Sequence, residues 1–472
     1  MVKHSGIPAS APPTAPERAS TAQLLMRAYI IVLLAATFGH TAVYNLAGHT
    51  GSLIVIAVLT AGTIAIWVPA IVRARPVPLV WRRLPWAVLG YCALALASVL
   101  WSAWPVATLV TGALLSALTL SALFIAHVLS WREILGAIAS ALKWILGLSI
   151  AIELWVALVL QHPLLPFFFE SPGGTPDPHW YWVRGNLLDG GRIQGIVGNS
   201  NQLAALCLVA IIVFCVLFAA RVRWRTTLAL WVLAAAYLMY RASSATIFTA
   251  AFAAAVTLAV ALLMRRAQGP GSRTRIYAVA LGGTALLVAL AVVFRGPLLE
   301  RLGRTGDFTG RFGIWEQVLE RGGQRPWFGW GFSSPWIPSE PAIQGWIVDK
   351  GLTVFHAHNM WFDVFLQLGA AGLVLMACIW VSMLWRSWFF AVDRPRWDLR
   401  DDRPFSPLTL APSLITVVLL VQGLAESAPI MLWGWLLVVL FTFKLKAVPL
   451  LGAGLSERSR VIDLGEQRRR VP

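Results

Sequence analysis

Residues 201–220 read NQLAALCLVAIIVFCVLFAA, and everything from Leu203 to Ala220 is apolar. A run of about 20 such residues matches, as an α-helix, the roughly 30 Å hydrocarbon core of a bilayer. Its ends carry the punctuation of a membrane helix. Gly198-Asn199-Ser200-Asn201 precedes it, with Asn199 or Ser200 able to cap the first turn, and Arg221, Arg223 and Arg225 follow it. Outward from this stretch the pattern repeats. Further apolar segments lie near 24–44, 52–72, 84–101, 105–128, 134–160, 226–240, 245–264, 276–294, 357–385, 409–425 and 430–446. With 58% hydrophobic and 12% charged residues and a mean hydropathy of +0.72, the chain is outside the range of soluble domains. The expected fold is all-α, a polytopic membrane protein of about twelve transmembrane helices with a long outer loop containing short amphipathic helices.

Lysine and arginine favour the cytoplasmic side of short loops. Placing both termini inside puts Arg221, Arg223 and Arg225, the basic run from Arg265 to Arg275, and the tail from Lys444 to Arg470 on that side. The net charge of +17 therefore belongs to the cytoplasmic face, where it indicates contact with anionic lipids and no nucleic-acid role. Residues 1–21, rich in Ala, Pro and Ser, read as a disordered cytoplasmic arm, 22–446 as the membrane domain, and 447–472 as a basic cytoplasmic tail. Cys92, Cys207, Cys215 and Cys378 sit within expected spans, without metal or disulfide spacing.

Two outer segments are long, 161–200 and 295–356, and loops of that length usually carry function. In the second, Phe312, Trp315, Val318 and Leu319 recur at helical spacing after Thr309-Gly310, with a stop at Arg321-Gly322-Gly323. This predicts a short amphipathic helix at the membrane surface, with Arg311 and Trp315 on one face. Pro326-Trp327-Phe328-Gly329-Trp330-Gly331-Phe332 reads as a tight aromatic turn. The loop closes on His356-Ala357-His358-Asn359. On a continuous helix these two imidazoles would point about 160° apart, so His358, in register with Phe362 and Phe365, is the better candidate base. An imidazole exchanges protons near neutral pH.

In the first loop Arg192 leads into the Asn199–Asn201 turn. A guanidinium beside a membrane needs an anionic partner or open water. Arg241, in the short outer Arg241-Ala242-Ser243-Ser244-Ala245-Thr246 segment, either snorkels to the interface or joins the same site. Outer carboxylates show little clustering. Glu316 and Glu320 share a helical face, while Glu170, Asp177, Asp189, Glu300, Asp307, Glu340, Asp349 and Glu426 are scattered.

Arg192 to Asn201, Arg241 to Thr246, Thr309-Gly310-Arg311 with Trp315, Pro326 to Gly331, and His356-Ala357-His358-Asn359 with Leu366 to Gly372 together resemble, in order, the O-antigen ligase and polysaccharide polymerase family. The resemblance runs over roughly 190–380. It implies a glycosyltransferase of the cytoplasmic (inner) membrane whose active site is on the outer face. There a glycan would pass from a polyprenyl-diphosphate carrier to the hydroxyl of a glycan or glycolipid acceptor. The family's essential histidine falls on His358, supported by His356 and Asn359. Its loop arginine falls on Arg311, and Arg192 and Arg241 become expected diphosphate contacts. The Arg241-Ala242-Ser243-Ser244 order departs from many relatives. Asn199, Asn201 and Trp315 are expected to touch acceptor or sugar.

A departing diphosphate accumulates negative charge, which fixed guanidinium groups stabilise. The expectation is accordingly an inverting transfer with no metal and no cofactor, although Glu316 and Glu320 keep a magnesium alternative open. The sequence leaves ligase and polymerase equally open. Lys143, Glu153 and Asp363, as intramembrane charges, keep a secondary transporter or flippase in view.

Overall fold

The computed structural model describes residues 21–73, 81–168, 178, 180–221, 224–294, 307–349, 352–393 and 405–448. The expected N-terminal arm, the tail beyond residue 448 and the start of the second outer loop lie outside them. So do Glu170, Asp177, Arg223 and Glu300.

The chain is helical almost throughout. In order come α1 (Thr21–Phe38), α2 (His40–Arg73), α3 (Trp86–Ala97), α4 (Pro105–Val128), α5 (Trp131–Trp155), α6 (Ser200–Ala219), α7 (Arg225–Ala242), α8 (Ala245–Arg266), α9 (Pro270–Val293), α10 (Asp307–Gly323), α11 (Met360–Val392), α12 (Leu410–Gly423) and α13 (Leu432–Ala447). One two-residue antiparallel ladder, β1 (Val348–Asp349) with β2 (Leu352–Thr353), is the departure from an all-α chain.

Among the described residues seven helical segments are long and apolar enough to cross a membrane: Thr21–Phe38, His40–Pro69, Pro105–Val128, Trp131–Leu160, Ser200–Ala219, Ala245–Arg266 and Met360–Val392. Three of the other expected spans, at 84–101, 409–425 and 430–446, form helices of 12, 14 and 16 residues. Gly39 separates α1 from α2, and α2 is itself interrupted at Gly48, whose φ of 65° and ψ of −168° are non-helical, between the first two expected spans.

Caps set the starts that matter. Ser130 and Glu133 close a reciprocal capping box on α5. Asn199 and Asn359 do the same job for α6 and α11, each side-chain oxygen accepting two backbone N–H groups. The bundle is centred on α6, α12 and α13. The last is apolar all round and buried from Trp433 to Leu445, as a helix surrounded by others must be.

Helix α11 is broken where it meets the outer loop. Gly369 has φ 59°, and the turn 326–331 fills the break. Trp330 N–H donates to Leu366 O, Gly331 N–H to Gln367 O, Ala370 N–H to Pro326 O and Ala371 N–H to Trp327 O. Backbone groups freed by the kink thus find protein partners, the condition for irregular backbone in a membrane helix. On the other side the turn is stitched to the α3–α4 connection: Ala103 N–H reaches Trp330 O at 2.8 Å and Trp104 Nε1 reaches Gly331 O at 3.0 Å. Arg321 lies against the rings of Trp104, Trp330 and Trp346.

The amphipathic helix in the second loop is α10, but its buried face is Ile314 and Val318; Phe312 and Leu319 are exposed. Ile314 and Val318 join Trp104, Trp336, Ile343, Ile347, Ala357 and Leu366 in one apolar cluster. That cluster fixes α10 against α11.

Candidate functional site

Helix α11 begins at Met360, after its cap Asn359, so neither His356 nor His358 is on a helix. The expected 160° divergence is therefore wrong. His358 takes a left-handed φ of 52°, which turns the chain back and brings the two imidazole centroids to 4.0 Å. The turn is held by His358 N–H donating to His356 Nδ1 at 3.0 Å, and by Trp315 Nε1 donating to Ala357 O at 2.9 Å. Ala357 N–H donates to Asp363 Oδ2 at 3.1 Å.

Asp363, 1% exposed, ties this turn to a second one between α12 and α13. Its Oδ2 also accepts the Ser427 hydroxyl and its Oδ1 the Gln367 amide. Next to Ser427 stands Glu426, the residue on which the site converges. Its Oε2 is 3.1 Å from His358 Nδ1; its Oε1 accepts from Arg311 Nη2 and from Asn201 Nδ2, both at 2.9 Å. Asn201 Oδ1 in turn accepts from Arg192 Nη2 at 2.5 Å. An imidazole, a guanidinium group and an amide thus bind one carboxylate, with a second guanidinium group behind the amide.

Burial raises the Glu426 carboxyl, but the His358 hydrogen bond and electrostatic coupling to His358, His356 and Arg311 outweigh it and hold it at about 2. It is ionised at any working pH. Burial drives His356 down to about 3, opposed by the negative charge of Glu426. A neutral ring whose Nδ1 accepts a backbone N–H carries its proton on Nε2.

Of the expected site residues, His356 and His358 are in contact, His358 and Arg311 meet at Glu426, and Arg192 reaches that carboxylate through Asn201. The others have local duties. Asn199 caps α6. Asn359 caps α11 and its amide donates to Leu424 O, which ties the histidine turn to the Glu426 turn. The Trp315 indole N–H is engaged in bracing that turn. Arg241 donates to Asn186 O at 2.8 Å, and Arg192 Nε donates to Ala242 O at 2.9 Å, so the Arg241 segment braces the first outer loop. Glu316 and Glu320 lie on the exposed side of α10.

Among the described residues His356, His358 and Glu426 offer atoms within 4.8 Å of one another, the residue types of a three-ligand metal site. The Arg311 guanidinium on the same carboxylate opposes an added cation. In the sequence Glu426 stands among scattered carboxylates because its partners lie 68 to 225 residues away. The available signal was an acidic residue in Gly423-Leu424-Ala425-Glu426-Ser427-Ala428-Pro429, a short turn between two strongly apolar segments.

Residues 229–377 match the O-antigen ligase family, which bears out the resemblance read from the sequence over that stretch. The chain is also similar to exopolysaccharide production protein ExoQ of Rhizobium meliloti (strain 1021), at 28% identity over 159 residues. That alignment covers 32% of this chain and 35% of the relative, so the chain spans about a third of the length of the protein it matches. The family match contains Arg241, Arg311, Trp315, His356, His358 and Asn359 and ends before Glu426.

Proposed function

We propose that the chain transfers a glycan from a polyprenyl diphosphate carrier to an acceptor hydroxyl on the outer side of the cytoplasmic membrane, in the manner of an O-antigen ligase. The observation that carries this reading is the Glu426 carboxylate, bound by His358 on one oxygen and by Arg311 on the other. A carboxylate on Nδ1 fixes the neutral tautomer that leaves the Nε2 lone pair for catalysis. His358 Nε2 takes the proton of the acceptor hydroxyl as that oxygen attacks the anomeric carbon. The bond from that carbon to the diphosphate breaks, and its electron pair leaves with the polyprenyl diphosphate. Arg311 and Arg192 stabilise the charge that collects there. One displacement inverts the anomeric centre. No metal is needed in this scheme, since the guanidinium groups fill that electrostatic role.

The name of the relative, an exopolysaccharide production protein, favours repeat-unit polymerase as the second reading. A single transfer onto a foreign acceptor identifies a ligase, and a ladder of repeat units a polymerase. Transport is disfavoured because two of the intramembrane carboxylates are committed to scaffolding. Asp363 holds both site turns, and Glu153 accepts the Gln194 and Gly195 N–H groups behind the Arg192 loop.

The test is transfer from a purified lipid-diphosphate glycan with chelator present. His358→Asn suits the left-handed backbone and is expected to lower the rate by about 10² to 10⁴ while donor binding is retained. Equal loss of binding and transfer assigns His358 a structural role, and activity that disappears with chelator overturns metal independence.

A further inference from the structure

Resting on that reading of the site, we propose that Glu426 is an internal anion that competes with the donor's diphosphate for Arg311, so that donor binding hands the carboxylate over to His358. The two ends of this carboxylate serve different groups. Oε1 takes Arg311 and Asn201, and Oε2 takes His358. Arg192 binds the other end of the Asn201 amide, so one amide links the Arg311-bound carboxylate to a second guanidinium group, an arrangement that suits a bridging diphosphate.

The Arg311–Glu426 pair is not needed to place α10, which is anchored by Ile314 and Val318 in their own apolar cluster. Exposure also favours exchange. The Arg311 and His358 side chains are 21% and 28% accessible, against 10% for Glu426. An anion arriving from the open side therefore meets the guanidinium before the carboxylate. A diphosphate carries more charge than one carboxylate and offers paired oxygens to a planar fork. Once Arg311 turns to it, the buried carboxylate keeps the Asn201 amide on Oε1 and the His358 imidazole on Oε2. The proton that His358 collects from the acceptor then has its counter-charge 3.1 Å away. Glu426 acts here as a positioning residue that couples donor occupancy to the base, and no covalent bond changes in the exchange.

The experiment is calorimetric binding of inorganic pyrophosphate to the full-length protein, run beside the transfer assay. Glu426→Gln removes the competing charge and is expected to bind pyrophosphate about tenfold more tightly while transferring glycan more slowly. A residue that merely supports the fold weakens both. Asn201→Asp adds a carboxylate between Arg192 and Glu426 and is expected to weaken pyrophosphate binding by about tenfold. Unchanged or weaker binding in Glu426→Gln overturns the proposal. If that variant does not fold, unchanged or tighter binding in Asn201→Asp overturns it. A wild type that makes no product from a lipid-diphosphate donor overturns glycan transfer separately and leaves the pyrophosphate series to be read by itself.

Discussion

His356 shows how one buried ring sets a pH limit on the site. Its Nδ1 accepts the His358 N–H, an interaction that protonation of that nitrogen destroys. Burial lowers its pKa from 6.5 to about 3. The unfolded chain thus binds the extra proton first on acidification. The neutral ring contributes its full stability above pH 6.5, and that contribution is lost as pH falls toward 3. Between pH 6.5 and 5 the loss amounts to about 2 kcal/mol. Glu426, lowered from 4.5 to about 2, adds a second loss in the same direction below pH 4.5. His356→Asn keeps an acceptor near the Nδ1 position and takes up no proton. Thermal unfolding of detergent-solubilised protein is expected to be flatter in this variant than in wild type between pH 7 and 5, and parallel slopes remove His356 as the cause. At this scale the sequence was half legible. Motif spacing singled out the histidines and Arg311. Glu426 was invisible because a carboxylate's role depends on partners the fold brings from distant segments, and the left-handed turn at His358 has no signature in a motif normally read as the start of a helix.

The element that organises the site is the broken helix α11. The sequence points to a tight aromatic turn at 326–332 but not to its destination, because a glycine at 369 inside an apolar run reads as a slightly weaker helix. The two glycines are mutually required. A Cβ on Gly329 would stand 2.4 Å from the Gln367 carbonyl carbon, and one on Gly369 2.4 Å from that of Trp327, with both residues at positive φ. Gly329→Ala and Gly369→Ala are each expected to destabilise by roughly 3 kcal/mol, adding backbone collision to left-handed strain. Gly323→Ala, at the end of α10 with nothing within 4 Å of the added carbon, is the control and changes stability by less than about 1 kcal/mol. Denaturation midpoints decide the matter. If the three variants unfold alike, the turn is not inserted in the helix as described.

For the whole molecule, hydropathy identifies membrane helices but not their depth in the bundle. The most apolar 18-residue stretch of Ser200–Ala219 has mean hydropathy 2.8 and that of His40–Pro69 has 2.2, yet 72% of the first stretch and 6% of the second is buried within the protein. Lipid and protein interior are both apolar, so a sequence does not distinguish which of the two a leucine faces. Position across the membrane is different, because charge bias carries it. Under the proposed function the basic run at the α8–α9 turn is placed in the cytoplasm and the 307–359 segment, with the site, on the outside. Ser339 and Gln268 are exposed positions on the two sides, while Cys92 and Cys207 are buried. In intact cells a membrane-impermeant thiol reagent is expected to label Ser339→Cys, and to label Gln268→Cys only after permeabilisation, with wild-type protein giving the background of Cys215 and Cys378. The reverse pattern would put Glu426, His358 and Arg311 on the cytoplasmic face, where nucleotide-activated donors compete with any lipid-linked one, and would remove the physical reason for a site built from arginines around an exchangeable anion.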